Sequence, residues 1–398
     1  MIKLSDRLAG LEESVTLAIT AKARAMKAEG RDVIGFGAGE PDFDTPDNIK
    51  EAGIRAIREG HTKYTAVGGI NELKDAIIGK FRKDNGLEYG REEVLVSCGG
   101  KHSIFNLFQA VLNPGDEVII PAPYWVSYPV MAALGGGTPK VVHAKESDGF
   151  RMSPEAFRAS IGPNTKAVVI NSPSNPTGAA YTEKELVRIA EIALENGLLI
   201  ISDEIYERLA YDGFKVTSIA SLSEEAKKST IVLNGVSKTY SMTGWRIGYA
   251  AGPRNIIKAM TNIQSQSTSN PASISQWAAV EAISGPQDAI DTMVAEFAKR
   301  RGVMVDALNA IDGISCLKPQ GAFYVFPNVS KLFGRKYKDK TINGSVDLAT
   351  YLIDEAGIAV VPGEPFGDDH FIRLSYATSM NNIVKGVKRI GEAVKELK

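Results

Sequence analysis

Residues 237–246 combine an amine, hydroxyl groups and a guanidinium within a short stretch. Lys238 lies between Ser237 and Thr239, and Arg246 follows eight residues after the lysine. A lysine amine becomes a nucleophile when it is condensed with a carbonyl group or is held near other cations. The pattern indicates covalent chemistry between Lys238 and a carbonyl compound, whose phosphate Ser237 and Arg246 would bind. An exposed lysine in a glycine-rich turn is the alternative interpretation of this stretch taken alone.

The elements that must position these side chains are predicted to be buried parallel strands. Helix-like stretches such as residues 183–194 separate five short apolar runs, at residues 93–97, 117–121, 166–171, 198–202 and 230–234. This alternation predicts an α/β sheet with helices layered on it. Ligands of such sheets bind beyond the carboxyl ends of the strands. Because polar stretches follow three of the runs, at residues 171–178, 202–206 and 234–249, we expect them to converge on one crevice.

A glycine pair opens a predicted helix at the same edge of this sheet. Gly99, Gly100 and Lys101 follow the first apolar run and precede the helical stretch 102–112. The free N–H groups and the dipole at the start of a helix favour a bound phosphate.

The flanking regions have a different pattern. Helices are predicted at residues 14–29 and at about 289–308. From residue 313 onward, shorter strand-like runs alternate with helices, at residues 321–326, 358–361 and 371–375. This predicts a second, smaller α+β region, in which the basic stretch 331–340 is interpreted as a solvated loop.

Composition excludes several classes of protein. The 398 residues include 46 Lys and Arg against 47 Asp and Glu, so the net charge of -1 provides no broad field for nucleic acid or an anionic membrane. Cys98 and Cys316 cannot form a disulfide framework, which fits a reducing cytoplasm. No signal-peptide pattern or membrane-spanning apolar run is present in the sequence, and no metal site is expected.

Several motifs together resemble the aspartate aminotransferase family, a group of fold-type I enzymes that depend on pyridoxal 5'-phosphate. The similarity is greatest to the bacterial subgroup with a Gly-Gly-Lys phosphate loop. The motifs that carry the resemblance are Ala38–Phe43, Tyr124-Trp125, Asn171–Gly178, Ser202–Tyr206, Ser237-Lys238 with Thr243–Arg246, and Arg373–Ser375. The resemblance implies a large wound, mostly parallel sheet domain at residues 46–295. A smaller α+β domain would then be built from residues 1–45 and 296–398.

The resemblance also implies roles around the cofactor ring. Lys238 matches the lysine that bonds to the cofactor and moves the proton during transfer. Asp203 matches the carboxylate that keeps the pyridine nitrogen protonated. Asn175 and Tyr206 match the pair that binds the phenolic oxygen, and Trp125 matches an aromatic that stacks on the ring and borders the substrate.

The phosphate of the cofactor is expected to meet groups from two subunits. Gly100, Lys101, Ser237 and Arg246 match the residues that surround it with backbone, hydroxyl and cationic donors. Tyr64 matches a tyrosine that reaches the phosphate of the neighbouring subunit. The resemblance therefore implies a homodimer with shared active sites.

The substrate residues implied by the resemblance recognise two carboxylates. Arg373 matches the arginine that binds the α-carboxylate of amino-acid and 2-oxo-acid substrates, assisted by Asn175 and Gly39. Lys101, with Ser14 and Thr16, matches the groups that bind the side-chain carboxylate of a dicarboxylic substrate. In members that accept prephenate, a basic residue lies near the position of Glu12, which is acidic here.

The function implied is transfer of the amino group of L-aspartate to 2-oxoglutarate, giving oxaloacetate and L-glutamate by a ping-pong mechanism. Two alternatives within the same fold are an aminotransferase of broader, aromatic or prephenate specificity and a carbon–sulfur lyase. A third class, a cofactor-binding transcriptional regulator, would carry a basic DNA-binding module before the fold. Only about 40 residues precede it, and they have neither a helix-turn-helix pattern nor a basic excess.

Overall fold

The computed structural model describes Ser5 and residues 15–398, of which residues 15–17 and 20 are described by their backbone alone. The α-helices of this part of the chain are α1 Val15–Ala28, α2 Asp47–Arg58, α3 Asn71–Lys80, α4 Gly100–Val111, α5 Ser127–Leu134, α6 Pro154–Ser160, α7 Glu183–Glu195, α8 Glu224–Lys228, α9 Arg254–Ser265, α10 Ser273–Ser284, α11 Asp288–Asn309, α12 Ser345–Glu355 and α13 Met380–Glu396. The strands are β1 Ile34–Gly35, β2 Val94–Ser97, β3 Glu117–Ala122, β4 Thr138–His143, β5 Thr165–Asn171, β6 Leu199–Asp203, β7 Thr230–Gly235, β8 Gly248–Ala251, β9 Tyr324–Val325, β10 Lys336–Tyr337, β11 Lys340–Thr341, β12 Ile358–Ala359, β13 Val361–Pro362 and β14 Ile372–Ser375.

Seven of the described strands form one large sheet in the order β2-β8-β7-β6-β5-β3-β4. All adjacent pairs are parallel except those of β8, which runs antiparallel to both β2 and β7. The α/β fold with a large, mostly parallel sheet is therefore confirmed. The five predicted strands are present, whereas β4 and β8 were not predicted.

Alternating side chains of the central strands enter separate apolar layers on the two faces of the sheet. On β6, Ile200 joins the layer that contains Ile189 of α7, whereas Ile201 joins the layer that contains Leu107 of α4. Neighbouring residues of a strand point to opposite faces, so a sheet covered by helices on both sides requires continuous apolar runs. This explains why the central strands have unbroken apolar sequences.

Helix boundaries follow local capping chemistry where the chain provides it. The predicted helix at 183–194 is α7, and the side chain of Thr182 accepts a hydrogen bond from the backbone N–H of Glu185. The Glu185 carboxylate in turn accepts from the Thr182 backbone, which completes a capping box and satisfies N–H groups that have no partner within the helix. Helix α11 corresponds to the predicted long helix at about 289–308. The expected domain boundary at residue 295 falls inside this helix.

A small antiparallel sheet, in the order β13-β14-β9, lies beside the large one. The N-terminal strand β1 pairs with β12 in parallel, and the backbone of Ser375 donates to the Phe36 carbonyl at 2.8 Å. The N-terminal segment thus packs on the C-terminal region. Ile34 and Phe36 belong to the same apolar core as buried residues of α11, α12 and α13.

Three expectations for this region are corrected. The predicted strand at 321–326 is reduced to β9, and the predicted strand at 358–361 is divided between β12 and β13. The stretch 331–340, interpreted as a solvated loop, includes part of a 3-10 turn and the hairpin strand β10. Each of these strands is two residues long, too short for a reliable alternating pattern. Among the described residues, no helix has the length and apolar character needed to cross a membrane.

Candidate active site

A cavity of about 730 Å³ opens at the carboxyl ends of β5, β6 and β7. Its lining contains most of the side chains that were predicted to do chemistry. The predicted residues that line it are Gly39, Gly100, Lys101, Trp125, Asn175, Asp203, Tyr206, Ser237, Lys238, Arg246 and Arg373.

The amine of Lys238 reaches the cavity from the segment that follows β7. Its Nζ donates a hydrogen bond to the backbone carbonyl of Gly39. Burial lowers the pKa of this amine to about 8; Glu40 opposes the shift, whereas Arg373 and then Arg246 favour it. A neutral amine is a base and a nucleophile, so Lys238 can act in either way near neutral pH.

Asp203 ends β6 and lies beside β7 in the sheet register. The parallel pairing sets Asp203 opposite Asn171 of β5 on one side and Leu233 of β7 on the other. The Tyr128 hydroxyl donates to Asp203 Oδ2 at 2.6 Å, and the Ile205 backbone donates to Oδ1 at 3.2 Å. Burial raises the pKa of the carboxyl, and these two hydrogen bonds oppose the rise.

The start of α4 forms the part of the cavity best suited to an anion. The first N–H groups of a helix have no partner within it, so those of Gly100 and Lys101 are available to a ligand. Gly99 has a φ of 90°. A Cβ on Gly248 would lie 2.2 Å from the Gly100 nitrogen, so the strand can approach the loop only as glycine.

Cationic and hydroxyl groups border this helix start. A Cβ on Gly99 would lie 2.5 Å from Arg246 Nη2, so the guanidinium packs directly against the loop. Arg246 Nη1 donates to the Thr243 carbonyl at 2.8 Å, and Ser237 is buried nearby in the same cavity lining.

Arg373 approaches the cavity from β14 of the small sheet. Its Nη1 donates to Asn175 Oδ1 at 3.0 Å and its Nη2 donates to the Gly37 carbonyl at 2.8 Å. The guanidinium carbon lies 4.6 Å from the Tyr324 ring centroid and 5.1 Å from that of Phe366. Its Nε is buried without a partner among the described residues. A buried donor on a permanently charged fork is suited to a carboxylate.

A contact between two tyrosine hydroxyls links the segment after β6, which carries Tyr206, to β9, which carries Tyr324. The hydroxyls of Tyr206 and Tyr324 lie 3.0 Å apart and are both buried. Burial raises the pKa of each hydroxyl, so both remain protonated donors at neutral pH.

Lys101 has no carboxylate contact in the described part of the chain. Its Nζ lies 5.0 Å from the Trp125 ring centroid. Partial burial, followed by the charge of Arg246, lowers the pKa of the amine. The lysine is therefore a cation that borders the cavity and is free to meet an anionic group.

Among the predicted residues whose side chains the structure describes, Tyr64 is the one that does not line this cavity. The side chain of Tyr64 is 93% exposed and lies outside the lining. Ser14 falls outside the described residues, and Thr16 is described by its backbone alone. Their expected contacts remain predictions.

Asn171, Tyr128, Tyr324 and Phe366 are among the lining residues that were not predicted as site residues. Asn171 ends β5 beside Asp203, and its position in the Asn171–Gly178 motif was the available signal. Tyr128 follows Trp125 by three residues across the start of α5, and the two rings lie 5.3 Å apart. No sequence pattern marks Tyr324 or Phe366 as a site residue, because an aromatic residue in an apolar stretch is usually interpreted as part of the core.

Comparisons with known proteins agree with this geometry. The family model for aminotransferase class I and II matches residues 31–390. An aspartate aminotransferase of Geobacillus stearothermophilus is 53% identical over 392 residues, and an aspartate/prephenate aminotransferase of Cereibacter sphaeroides is 52% identical; each alignment covers 98% of both chains. The crystal structure of the aspartate aminotransferase of Rhizobium meliloti is 46% identical, covers 100% of both chains and has a TM-score of 0.97. The chain therefore belongs to the aminotransferase class I and II family.

Proposed function

We propose that the protein is an aspartate aminotransferase that uses pyridoxal 5'-phosphate to transfer the amino group of L-aspartate to 2-oxoglutarate. The products are oxaloacetate and L-glutamate, formed in a ping-pong cycle. The observation that carries the proposal is the convergence of Lys238, Asp203 and Arg373 on one cavity from three different strands or strand ends. An amine, a carboxylate and a guanidinium in this arrangement match the chemistry of an amino acid and a carbonyl cofactor.

The donor set of the cavity fits pyridoxal phosphate. The glycine-bordered start of α4, Ser237 and Arg246 would hold the phosphate with backbone, hydroxyl and cationic donors. Lys238 would bond covalently to the carbonyl carbon, and Asp203 would accept a hydrogen bond from the ring nitrogen. Asn175 and Tyr206 would bind the phenolic oxygen, and Trp125 would pack on the ring.

The chain's own groups would manage the protons. When bound, the cofactor supplies a carbonyl that accepts the amino group and a ring that takes up the electron pair of the substrate's α-carbon–hydrogen bond. Lys238 Nζ would remove the α-proton, because burial keeps a fraction of this amine neutral near pH 7. Asp203, oriented by Tyr128, would keep the ring nitrogen protonated.

Substrate recognition would use opposite sides of the cavity. Arg373, with a buried unpaired Nε, would bind the α-carboxylate together with Asn175 and Gly39. Lys101 would bind the distal carboxylate of aspartate or 2-oxoglutarate, assisted by Ser14 and Thr16. A cation without a carboxylate partner in the described residues supports this role for Lys101.

The working unit we propose is a homodimer with shared sites. The exposed Tyr64 lies outside the cavity of its own chain, which supports a contact with the cofactor phosphate of a second subunit. The two-domain division at residues 46–295 and at residues 1–45 with 296–398 is part of the same proposal. The pairing of β1 with β12 supports a small domain built from both termini.

The half-reaction with aspartate tests the transferase assignment. Holoenzyme mixed with L-aspartate and no acceptor should lose the absorbance of the lysine-bound cofactor in one turnover and leave pyridoxamine phosphate. Addition of 2-oxoglutarate should restore the original spectrum. A carbon–sulfur lyase would instead release pyruvate and ammonia catalytically from a cysteine-type substrate, and that result without a half-reaction would overturn the assignment.

A second candidate is an aminotransferase that also accepts prephenate. It is favoured by the aspartate/prephenate aminotransferase of Cereibacter sphaeroides, which is 52% identical to this chain. The acidic Glu12, which lies outside the described residues, argues against this specificity. Rates with L-glutamate as donor and either oxaloacetate or prephenate as acceptor would separate the two: a prephenate rate comparable to the oxaloacetate rate would establish the broader activity.

A further inference from the structure

Two buried glutamines hold one surface loop, which we define as residues 61–70 and call the Tyr64 loop. Gln276 of α10 accepts a hydrogen bond from the Ile70 backbone at 2.8 Å and donates to Thr65 Oγ1 at 3.1 Å. Gln264 of α9 donates to the Val67 carbonyl at 2.8 Å. Neither glutamine has measurable exposure. The amides of two separate helices therefore fix the same short stretch of backbone.

The remaining polar atoms of these side chains are satisfied by fixed groups. Gln276 Nε2 also donates to the Pro271 carbonyl at 2.9 Å, and Gln264 Nε2 also donates to the Val96 carbonyl at 2.8 Å. Asn106 donates to Gln264 Oε1 at 3.1 Å. A buried amide is costly unless its hydrogen bonds are made. Since each glutamine is anchored by groups outside the loop, neither amide can turn away without leaving polar atoms unpaired.

The side chain presented by this loop has the opposite character. Tyr64 is 93% exposed, although the residue that follows it, Thr65, is bonded to the buried Gln276. The bonds to Val67 and Ile70 satisfy backbone groups beside the buried Gly68 and Gly69, whereas the bond to Thr65 holds the residue next to the exposed Tyr64. An aromatic hydroxyl held on a fixed backbone is suited to bind a group that approaches from outside the chain.

We propose that Gln264 and Gln276 are positioning residues for Tyr64, which set where its hydroxyl meets the cofactor phosphate of a second copy of the chain. The proposal rests on the shared-site dimer proposed above. The two glutamines do not touch cofactor or substrate. They act by fixing the Thr65 hydroxyl, the Val67 carbonyl and the Ile70 N–H, so that the Tyr64 hydroxyl meets the phosphate without first ordering the loop.

The first arm of the test measures the loop itself in the cofactor-free protein. The variant Gln276→Leu removes the acceptor of the Ile70 N–H, so hydrogen exchange of that amide should accelerate by about 10-fold or more. Gln287→Leu is the matched control. The Gln287 side chain donates hydrogen bonds to the Ala282 and Gly285 carbonyls, near the junction of α10 and α11. Its loss should leave hydrogen exchange in the Tyr64 loop unchanged.

The second arm measures the dissociation constant of pyridoxal phosphate by titration of the cofactor-free protein. Tyr64→Phe should weaken binding by about 10-fold, the effect of one lost charge-assisted hydrogen bond. Gln276→Leu should weaken it by several-fold, and the double variant should bind no more weakly than Tyr64→Phe. Such non-additivity is expected only when Gln276 acts through Tyr64. Gln287→Leu should bind as the unaltered protein does.

Several results would overturn the proposal. Additive losses in the double variant, or unchanged affinity in Gln276→Leu despite faster exchange of Ile70, would show that the glutamines stabilise the fold alone. Unchanged affinity in Tyr64→Phe would remove the contact between subunits, while a normal aspartate half-reaction in that variant would leave the transferase assignment intact. If Gln276→Leu does not fold, Thr65→Val, which removes only one acceptor of Gln276, takes its place with the same expected pattern.

Discussion

The two sides of the cavity are built on different sheets. The large-sheet wall, comprising Asp203, Lys238 and the start of α4, follows strand ends whose backbone register fixes their spacing. The small-sheet wall comprises Arg373, Tyr324 and Phe366. Its strands are also in register, with Arg373 opposite Val361, and the guanidinium additionally packs against two rings. Backbone register fixes the spacing within each wall, whereas side-chain contacts can be remade as a substrate enters.

Three of the contacts between the two sides of the cavity involve groups expected to meet a ligand. Arg373 bonds to Asn175, Lys238 to the Gly39 carbonyl, and the Tyr324 hydroxyl meets that of Tyr206. We therefore expect the two walls to have different functions. The large-sheet wall would hold the cofactor and move protons, and the small-sheet wall would recognise the α-carboxylate of the substrate.

The largest effect is expected from Lys238→Ala. Removing the group that moves the α-proton should lower the rate of transamination by about 10⁴-fold or more, since general base catalysis alone contributes up to that factor. The protein should still bind the cofactor non-covalently through the phosphate groups. Steady-state rates with aspartate and 2-oxoglutarate provide the measurement, and Lys184→Ala, on the exposed first turn of α7, is the control. A near-normal rate would remove Lys238 from its role.

A smaller effect is expected when Tyr128 loses its hydroxyl. Tyr128→Phe removes a 2.6 Å hydrogen bond to Asp203, and a bond to an ionised group contributes about 1.5 to 3 kcal/mol. We expect kcat to fall by about 10-fold to 100-fold, while KM for aspartate changes little, because Asp203 would contact the cofactor ring only. Tyr181→Phe, which alters a buried tyrosine bonded to the Met152 backbone, is the control. An increase in KM as large as the fall in kcat would contradict this assignment.

The pH dependence of cofactor attachment tests the environment of Lys238. Burial lowers the pKa of this amine to about 8, so the neutral form increases through pH 8 and predominates above it. The rate at which the cofactor-free protein bonds to pyridoxal phosphate should therefore rise with pH and level off above pH 8, with a value at pH 7 about 10-fold below the plateau. Stopped-flow absorbance gives this profile. A midpoint near the ordinary lysine pKa would show that the amine is not perturbed.

The smallest effect is expected from Lys101→Ala, and it tests whether substrate recognition is confined to the small-sheet wall. Lys101 is partly exposed at the start of α4, in the large-sheet wall, but we propose that it binds the distal carboxylate. Activity with aspartate should fall several-fold, up to about 10-fold, more than activity with a neutral amino acid such as alanine. The ratio of the two kcat/KM values is the measurement. Equal losses would indicate that the lysine serves only the phosphate.

The large-sheet wall was largely predictable from the sequence. Asp203 and Asn175 lie in polar stretches directly after apolar runs, and parallel strands bring such stretches to one edge. Strand β8 was not predicted, because Gly248–Ala251 is short, rich in small residues and contiguous with the Lys238 motif. Its antiparallel insertion between β2 and β7 depends on long-range pairing that no local pattern specifies.

The small-sheet wall was predictable only in part. Arg373 was identified through its motif, but Tyr324 and Phe366 read as core aromatics, and nothing in the local sequence shows that they stack on a guanidinium. The role of Tyr64 was predicted through the resemblance and stays a prediction; the exposure of its side chain in one chain is compatible with a contact to a second chain. Contacts made across subunits leave no periodic signal in a sequence.

The most direct test of the division between the two walls is the aspartate half-reaction of Arg373→Ala, measured together with its affinity for pyridoxal phosphate. Loss of two or more charge-assisted hydrogen bonds to the α-carboxylate should lower the second-order rate constant by about 10² to 10⁴-fold. Cofactor affinity should stay within about 3-fold of that of the unaltered protein. The absorbance of the bound cofactor should be unchanged. A parallel loss of cofactor affinity, or an aspartate rate close to that of the unaltered protein, would contradict the assignment of α-carboxylate recognition to the small-sheet wall.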